Sequence, residues 1–346
     1  MNLKKSKKPL IIAEAGVNHG NNIKIAEQLI KEASEGGANV IKFQTYKAHK
    51  LASKHSPAYW DQNLNKANSQ YQLFKKYDKF NLDDYLKLKK ICKFYNIEFM
   101  STPFDNESAI FLNKIQKIFK IASADITNFP LVEQILKFKK PIIFSTGASN
   151  EKEINELYNL IQKKNKNVPL GILHCILSYP TQYKDANLGF IVSLKNKYKK
   201  AIIGISDHSI PDQNMFLLTK AHELGADIIE THFTIENLKG KKNNDHFHSV
   251  DKNDLIKLNE NINLSKQILG NMNKRFVLKS EIKSRKFARR SIYAKKDIKV
   301  GEKLSNDNLI PKRPGTGISP KFFKSLIGKK VKKTIKSDTQ IKKKFL

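Results

Sequence analysis

Two histidines, His208 and His232, end the apolar runs AIIGISDH and DIIETH, and each follows a polar residue two positions earlier, Ser206 and Glu230. Residues two apart in an extended strand share a face, so the members of each pair point the same way. Imidazoles delivered at equal depth by consecutive strands could hold one divalent ion and leave positions open for substrate. Mn²⁺, Fe²⁺, Zn²⁺ or Co²⁺ acting as a Lewis acid would suit such a pair. A hydrogen-bonded interior histidine is the competing reading for either residue alone, and the matched pair favours the metal. The pattern recurs, since Glu14, Lys42, Gln44, Thr102, Lys120, Ser145 and His174 also close short apolar runs. Such a run is buried along its length, and its polar last residue must face something polar, so the ladder points to one site. Lys42 and Lys120 are costly to bury unpaired. A ligand bearing phosphate or carboxylate would offset their charge, beside the hydroxyls of Ser123, Ser145, Thr146 and Ser206, and internal pairing with Glu14 or Glu230 would do the same.

The elements that must position these groups alternate along the chain. Strand-like runs at 9–16, 39–45, 98–104, 118–123, 141–147, 170–177, 201–208 and 227–233 are separated by amphipathic stretches such as IKIAEQLIKEASEGGA, and DLIKLNENINLSKQILG follows the eighth run. Eight strand-then-helix units are what a (β/α)₈ TIM barrel requires, and that fold places its sites at the carboxyl ends of the strands. A doubly wound sheet would carry GxGxxG after its first strand, whereas the turn here reads GVNHGNN. The stretch from Lys47 to Asn81 is long for a connection in a compact domain and holds the sole tryptophan, in SPAYWD. Its aromatics suit either a functional loop or simple packing on the barrel. After Gly270 the pattern changes to short alternating runs broken by Gly, Pro and Asn. The expected organisation is a catalytic barrel over 1–272, a basic linker over 273–290 and a small β-rich domain over 291–346.

Composition narrows the function classes. The net charge is +32, but only five of the 64 basic residues are arginine, and a lysine-, asparagine- and isoleucine-rich usage fits genome-wide drift better than a nucleic-acid surface. Aromatics are not interleaved with the basic residues of KKVKKTIKSDTQIKKKF as stacking on bases would need. What the charge does imply is long-range attraction for anionic substrates. All five arginines fall in the last 72 residues, which hold 23 basic and 5 acidic residues. Two cysteines form no disulfide framework, and the apolar part of MNLKKSKKPLIIAEAG is too short for a membrane span, so a cytoplasmic enzyme without nucleic-acid or membrane partners is expected.

Ten segments in order carry a resemblance: IIAEAGVNHG, IKFQT, STPF, KIASADITN, STGAS, the YPT that follows HC, GISDHS, ETHF, NNDHFHS and KRPGTG. From about residue 9 to 330 the chain resembles the N-acetylneuraminate (sialic acid) synthase family, phosphoenolpyruvate-dependent enzymes with a C-terminal antifreeze-like (SAF) domain. The resemblance implies condensation of phosphoenolpyruvate with the open-chain aldehyde of an N-acetylated mannose-type sugar, giving a nine-carbon 2-keto acid and phosphate. It implies Mn²⁺ or a similar ion on His208 and His232. Lys42, Thr102, Lys120, Ser123, Ser145 and Ser206 would hold phosphoenolpyruvate; Glu14, Gln44, Tyr179 and Asp245 would contact the sugar, with Phe104 as a wall. Asp125 would direct water, and Arg313 would reach the N-acetyl group from a partner subunit in a domain-swapped homodimer. Two departures bear on water placement and on acceptor specificity, respectively. Asp125 stands where bacterial sialic acid synthases often carry Glu, and Leu177 stands where they tend to carry Asn. Legionaminic or pseudaminic acid synthesis from a diacetamido-trideoxyhexose is the alternative; a Kdo- or DAHP-type synthase and a non-catalytic glycan-binding protein fit less well.

Overall fold

The computed structural model describes residues 3, 8–60, 66–242, 245–270 and 274–346. The chain forms two compact units, Met1–Ile268 and Leu269–Leu346.

The first unit is built on eight parallel strands: β1 (Leu10–Gly16), β2 (Val40–Thr45), β3 (Glu98–Pro103), β4 (Phe119–Ile121), β5 (Ile142–Ser145), β6 (Leu170–Cys175), β7 (Ile202–Asp207) and β8 (Ile228–His232). Their hydrogen-bonded order is β3-β2-β1-β8-β7-β6-β5-β4, and β3 packs against β4 to close the barrel. Each strand leads into a helix of the outer layer, from Ile23–Glu35 after β1 to Lys252–Leu269 after β8. All eight expected units are present, with each strand one to three residues shorter than its apolar run.

Local sequence explains why the helices begin where they do. Asn22, Asn81, Asp105, Asn128 and Asn150 each accept hydrogen bonds from backbone amides of the first turn. Asn81 with Asp84 and Asn150 with Glu153 complete reciprocal capping boxes. The helix Ile23–Glu35 then buries Ala26, Leu29, Ile30 and Ala33, the spacing of one helical face.

Strand pleat sorts the side chains into two cores. One parity, including Ile11, Ala13, Ile41, Phe43, Phe99, Phe119, Phe144, Ile172, Ile203 and Ile229, packs against the helices. The other parity fills the floor inside the barrel with Ile12, Val40, Met100, Ile118, Ile143, Leu173, Ile202 and Ile228. Gly204 belongs to this inner set because nothing larger fits: a Cβ there would lie 2.4 Å from the Ile228 carbonyl oxygen and 2.6 Å from Leu173 Cδ2. The next inward residues along the strands are the polar ladder.

The long connection after β2 is partly helical, with Ala48–Leu51 and Gln70–Tyr77 helical and 61–65 outside the described residues. The second unit contains one antiparallel pair, β9 (Ser291–Ala294) with β10 (Leu309–Lys312), and isolated bridges such as Ile298–Ile335. Its own core joins Ile292, Ile298, Leu304, Leu309, Val331, Ile335 and Ile341. The segment expected as a linker carries a short helix, Ile282–Ala288; residues 271–273 lie outside the described residues.

Candidate active site

At the carboxyl ends of the strands lies a cavity of about 380 Å³ lined by Glu14, Lys42, Gln44, Thr102, Phe104, Lys120, Ser123, Asp125, Ser145, Leu177, Tyr179, Ser206, His208, Glu230 and His232. Fourteen of these were singled out from sequence as ladder or site residues and Leu177 as a departure; Leu51, Tyr59, Gln70, Phe74, Ala122 and Ala124 complete the lining. His174 is the exception within the ladder. It has the outward parity, its Nε2 lies 2.7 Å from the Ala186 carbonyl oxygen and its ring meets Phe190 edge-on, so it faces the helices. Cys175 takes the inward place on β6 instead, paired in register with Ser206.

The floor of the cavity is a buried network of alternating charge. Lys42 Nζ lies 2.5 Å from Glu14 Oε2 and 3.9 Å from Glu230 Oε1, and it donates to Thr102 Oγ1 at 3.0 Å. Lys120 Nζ lies 3.2 Å from Glu230 Oε1, which also accepts from Ser206 Oγ at 3.0 Å. Gln44 donates to the other oxygen of Glu14 at 3.0 Å. Register makes this possible, because Glu14 is level with Lys42 across β1–β2 and Ser206 with Glu230 across β7–β8. Burial opposes ionisation of Lys42 and Glu230, but the opposite charges outweigh it, raising the Lys42 pKa and lowering that of Glu230. Of the two ways to offset the lysine charges, internal pairing is therefore realised. Lys42 is surrounded by three oxygens, whereas Lys120, which also lines the cavity, shows Glu230 as its partner among the described residues.

Asp125 sits in the single turn Ser123–Asp125 that follows β4. Its Oδ1 accepts from Asn128 at 2.9 Å, while Oδ2 is buried without a hydrogen-bond partner among the described residues. Burial raises its pKa against the lowering effect of Asn128. Ser123 is held by Gly147 N–H at 3.0 Å, and the Ser145 hydroxyl is buried without a partner among the described residues. Unsatisfied polar atoms at a cavity wall are atoms a ligand can satisfy.

The two histidine rings lie with centroids 5.3 Å apart. His208 Nδ1 is 2.8 Å from the Ile176 carbonyl oxygen and 3.8 Å from Cys175 Sγ, which anchors one edge of the ring. Tyr179 covers it at 4.2 Å. Burial would lower the His208 pKa, but Cys175 and the Ile176 carbonyl raise it to about 9, and an ion binding there would displace that proton. His232 Nδ1 lies 3.4 Å from Asp245 Oδ2, so a carboxylate stands at the edge of this imidazole. Imidazole edges fixed in this way fit a divalent ion of the class expected from sequence. Asp245 therefore stands beside His232 rather than in the main cavity. It lines a second, smaller one of about 140 Å³, whose walls are largely aromatic: Tyr46, Tyr59, Trp60, Phe74, Tyr77, Tyr179 and Phe247. Tyr179, Tyr59, Gln44, Phe74 and His232 are shared by both cavities. Asn243 and Asn244 of NNDHFHS lie outside the described residues. Arg313 follows β10 in the second unit.

Sequence reasoning missed Cys175 and His248. Cys175 was hidden because His174, next to it, was placed in the ladder as the polar end of the run. His248 ends the turn His246–His248 and is buried; its ring centroid lies 4.6 Å from His232, 5.6 Å from Tyr179 and 6.4 Å from His208. Burial, then the neighbouring His232, hold its pKa well below the usual imidazole value. The available signal was the second histidine of HFHS, two positions after the first.

Comparison with known proteins agrees with this architecture. Over 97% of its length the chain is 39% identical to an N,N'-diacetyllegionaminic acid synthase of Campylobacter jejuni, covering 99% of that protein. It is 34% identical over 99% of its length to a pseudaminic acid synthase of the same species, covering 97% of that protein. Among solved structures, an N-acetylneuraminic acid (sialic acid) synthetase from Leptospira borgpetersenii superposes with a TM-score of 0.69 at 33% identity, covering 80% of this chain and 90% of that one. Residues 29–274 match the NeuB family and residues 289–346 the SAF domain. A barrel whose polar strand ends meet in one cavity, followed by that small domain, makes this chain a member of the NeuB family of phosphoenolpyruvate-condensing synthases.

Proposed function

We propose that the barrel joins C3 of phosphoenolpyruvate to the aldehyde carbon of an open-chain acetamido hexose, and that the preferred acceptor is a diacetamido-trideoxyhexose. The observation that carries the acceptor assignment is the aromatic cavity that opens beside the charged one, sharing Tyr179 and His232 with it. An acetamido methyl and a deoxy methyl are apolar groups that gain by leaving water for such a surface, whereas an exocyclic hydroxymethyl would lose hydrogen bonds there. Leu177 on the main cavity wall adds apolar surface where a sugar hydroxyl would need a partner. Similarity to a diacetyllegionaminic acid synthase supports the same reading.

Lys120, Ser123, Ser145 and Ser206 bind the phosphate and carboxylate of phosphoenolpyruvate, and Lys42 with Thr102 holds the floor beneath. Glu14, Gln44, Tyr179 and Asp245 orient the sugar, and Phe104 bounds its chain. A divalent ion at His208 and His232, Mn²⁺ or one like it, supplies the Lewis acid that polarises the aldehyde oxygen. Formation of the new C–C bond leaves C2 electron-poor. Asp125, which lines the cavity with one carboxylate oxygen unpartnered among the described residues, stabilises that charge and directs water onto C2. Breaking the C2–O bond then releases phosphate and the 2-keto acid. Arg313 of a partner subunit contacts the acetamido group in a swapped homodimer, a reading supported by the exposed apolar side chains Phe276, Leu278, Ile282 and Phe287.

A phosphate-release assay across acetamido sugars, with mass detection of the product, tests the assignment. Release that requires both metal and sugar, and that favours the diacetamido-trideoxyhexose over N-acetylmannosamine by about tenfold or more, is expected. Preference for N-acetylmannosamine would overturn the acceptor; release without any sugar would overturn the reaction.

A further inference from the structure

His248 is 1% exposed, and neither of its ring nitrogens has a hydrogen-bond partner among the described residues. The described structure around it shows why this is unusual. His246, two residues earlier, is equally buried, yet its Nδ1 pairs with Thr234 Oγ1 at 2.7 Å. His19, buried in the same unit, accepts from Asn21 N–H and stacks on Phe80 at 4.4 Å. A buried imidazole left without donor or acceptor among the described residues has both ring nitrogens open to a ligand.

His248 also has suitable company. His232, Asp245 and His248 offer ligand atoms that all lie within 4.8 Å of one another. Backbone geometry supports the grouping. Asn18 Oδ1 accepts from Asp245 N–H at 2.9 Å, and Asn18 Nδ2 donates to the Phe233 carbonyl at 2.9 Å, tying the turn to the end of β8. Ser249 Oγ donates to the Asp245 carbonyl at 2.6 Å, closing the turn on itself. A strand end and a turn held together by an intervening asparagine form a built site rather than a chance approach. Two imidazoles and one carboxylate are a donor set for a borderline divalent transition ion, and too nitrogen-rich for Ca²⁺ or Mg²⁺.

We propose that His232, Asp245 and His248 form a three-donor site for a divalent transition-metal ion, with His248 as a direct protein ligand. The inference rests on the reading of this barrel mouth as metal-dependent, and it assigns the grip on the ion to more than the His208–His232 pair. A third protein donor raises affinity and leaves fewer positions for water.

Two measurements on the full chain test it. Manganese-edge anomalous diffraction from wild-type crystals soaked in Mn²⁺ locates the ion without any substitution. A peak within about 2.0–2.2 Å of a His248 nitrogen is expected. A peak bound by His208 and His232 but distant from His248 overturns the three-donor site and leaves the metal-dependent reading standing; no peak at any of these residues overturns both. In parallel, Co²⁺ titration of chelator-stripped protein against a chromophoric competitor compares wild type with His248→Gln, His248→Ala and His208→Ala. Loss of affinity by about tenfold or more, with an altered visible Co²⁺ spectrum, is expected for both His248 variants. Wild-type affinity and spectrum in a folded His248→Gln protein would sink the proposal, whatever His208→Ala does.

Discussion

Asp125 and Lys120 differ from the rest of the cavity in having capacity left over. Asp125 keeps one buried oxygen without a partner, and Lys120 faces a single carboxylate. Such groups are placed to act on a ligand, while Lys42, hemmed by Glu14, Thr102 and Glu230, is placed to hold structure. Replacing Asp125 by Asn is expected to lower kcat by about a hundredfold or more, with KM for both substrates little changed, in a phosphate-release assay. In the proposed role the ionised carboxylate is the active form, and burial raises its pKa above 3.8. Turnover should therefore be full at neutral pH and fall as the pH drops through that raised value, with the acid limb displaced upward from an ordinary aspartate. At Leu177, substitution by Asn would return a hydrogen-bonding group to the wall. The expected result is a shift of roughly tenfold in kcat/KM toward N-acetylmannosamine relative to a diacetamido-trideoxyhexose. Unchanged relative kcat/KM would separate Leu177 from acceptor choice.

Strands and their pleat decide which of these side chains meet. Most of the ladder was legible because period-two alternation is written into each apolar run, and a buried run must end in a cavity or in water. His174 shows where that argument fails. Position at the end of a run does not give parity, and only registration against β7 shows that Cys175, not His174, shares the inner face with Ser206. The inner floor is tight enough to be tested from one glycine. Gly204→Ala would push a methyl against the Ile228 backbone and is expected to cost about 1–3 kcal/mol or more, read as a lower denaturant midpoint with little change in slope. Turns gave less away. The roles of Asp125 and Asp245 were assigned through resemblance, since the chain after β4 and after β8 has no periodicity from which a direction could be read.

At the scale of the whole molecule, the barrel and the SAF domain each have their own core, and the proposed reading gives Arg313 of the small domain a part in sugar binding. Arg313→Ala is expected to raise KM for the sugar several-fold while leaving that for phosphoenolpyruvate nearly unchanged. If Arg313 acts across a dimer, mixing Arg313→Ala with Asp125→Asn protein at low sugar should give more activity than either alone, because some hybrids regain one intact site. No gain on mixing, with subunit exchange verified by light scattering of size-tagged protein, would place Arg313 in its own subunit. The sequence by itself determined the alternation of strands and helices, the polar character of the strand ends and the change of pattern near residue 270. Those features are local: hydrophobic period, capping residues and turn formers act within a few positions. Only the tertiary structure decided that the buried lysines are paired with Glu14 and Glu230, that an aromatic cavity adjoins the charged one, and that His248 stands beside His232. Each of these depends on register between strands and on where a turn folds back, and neither is encoded in the spacing of residues along one segment.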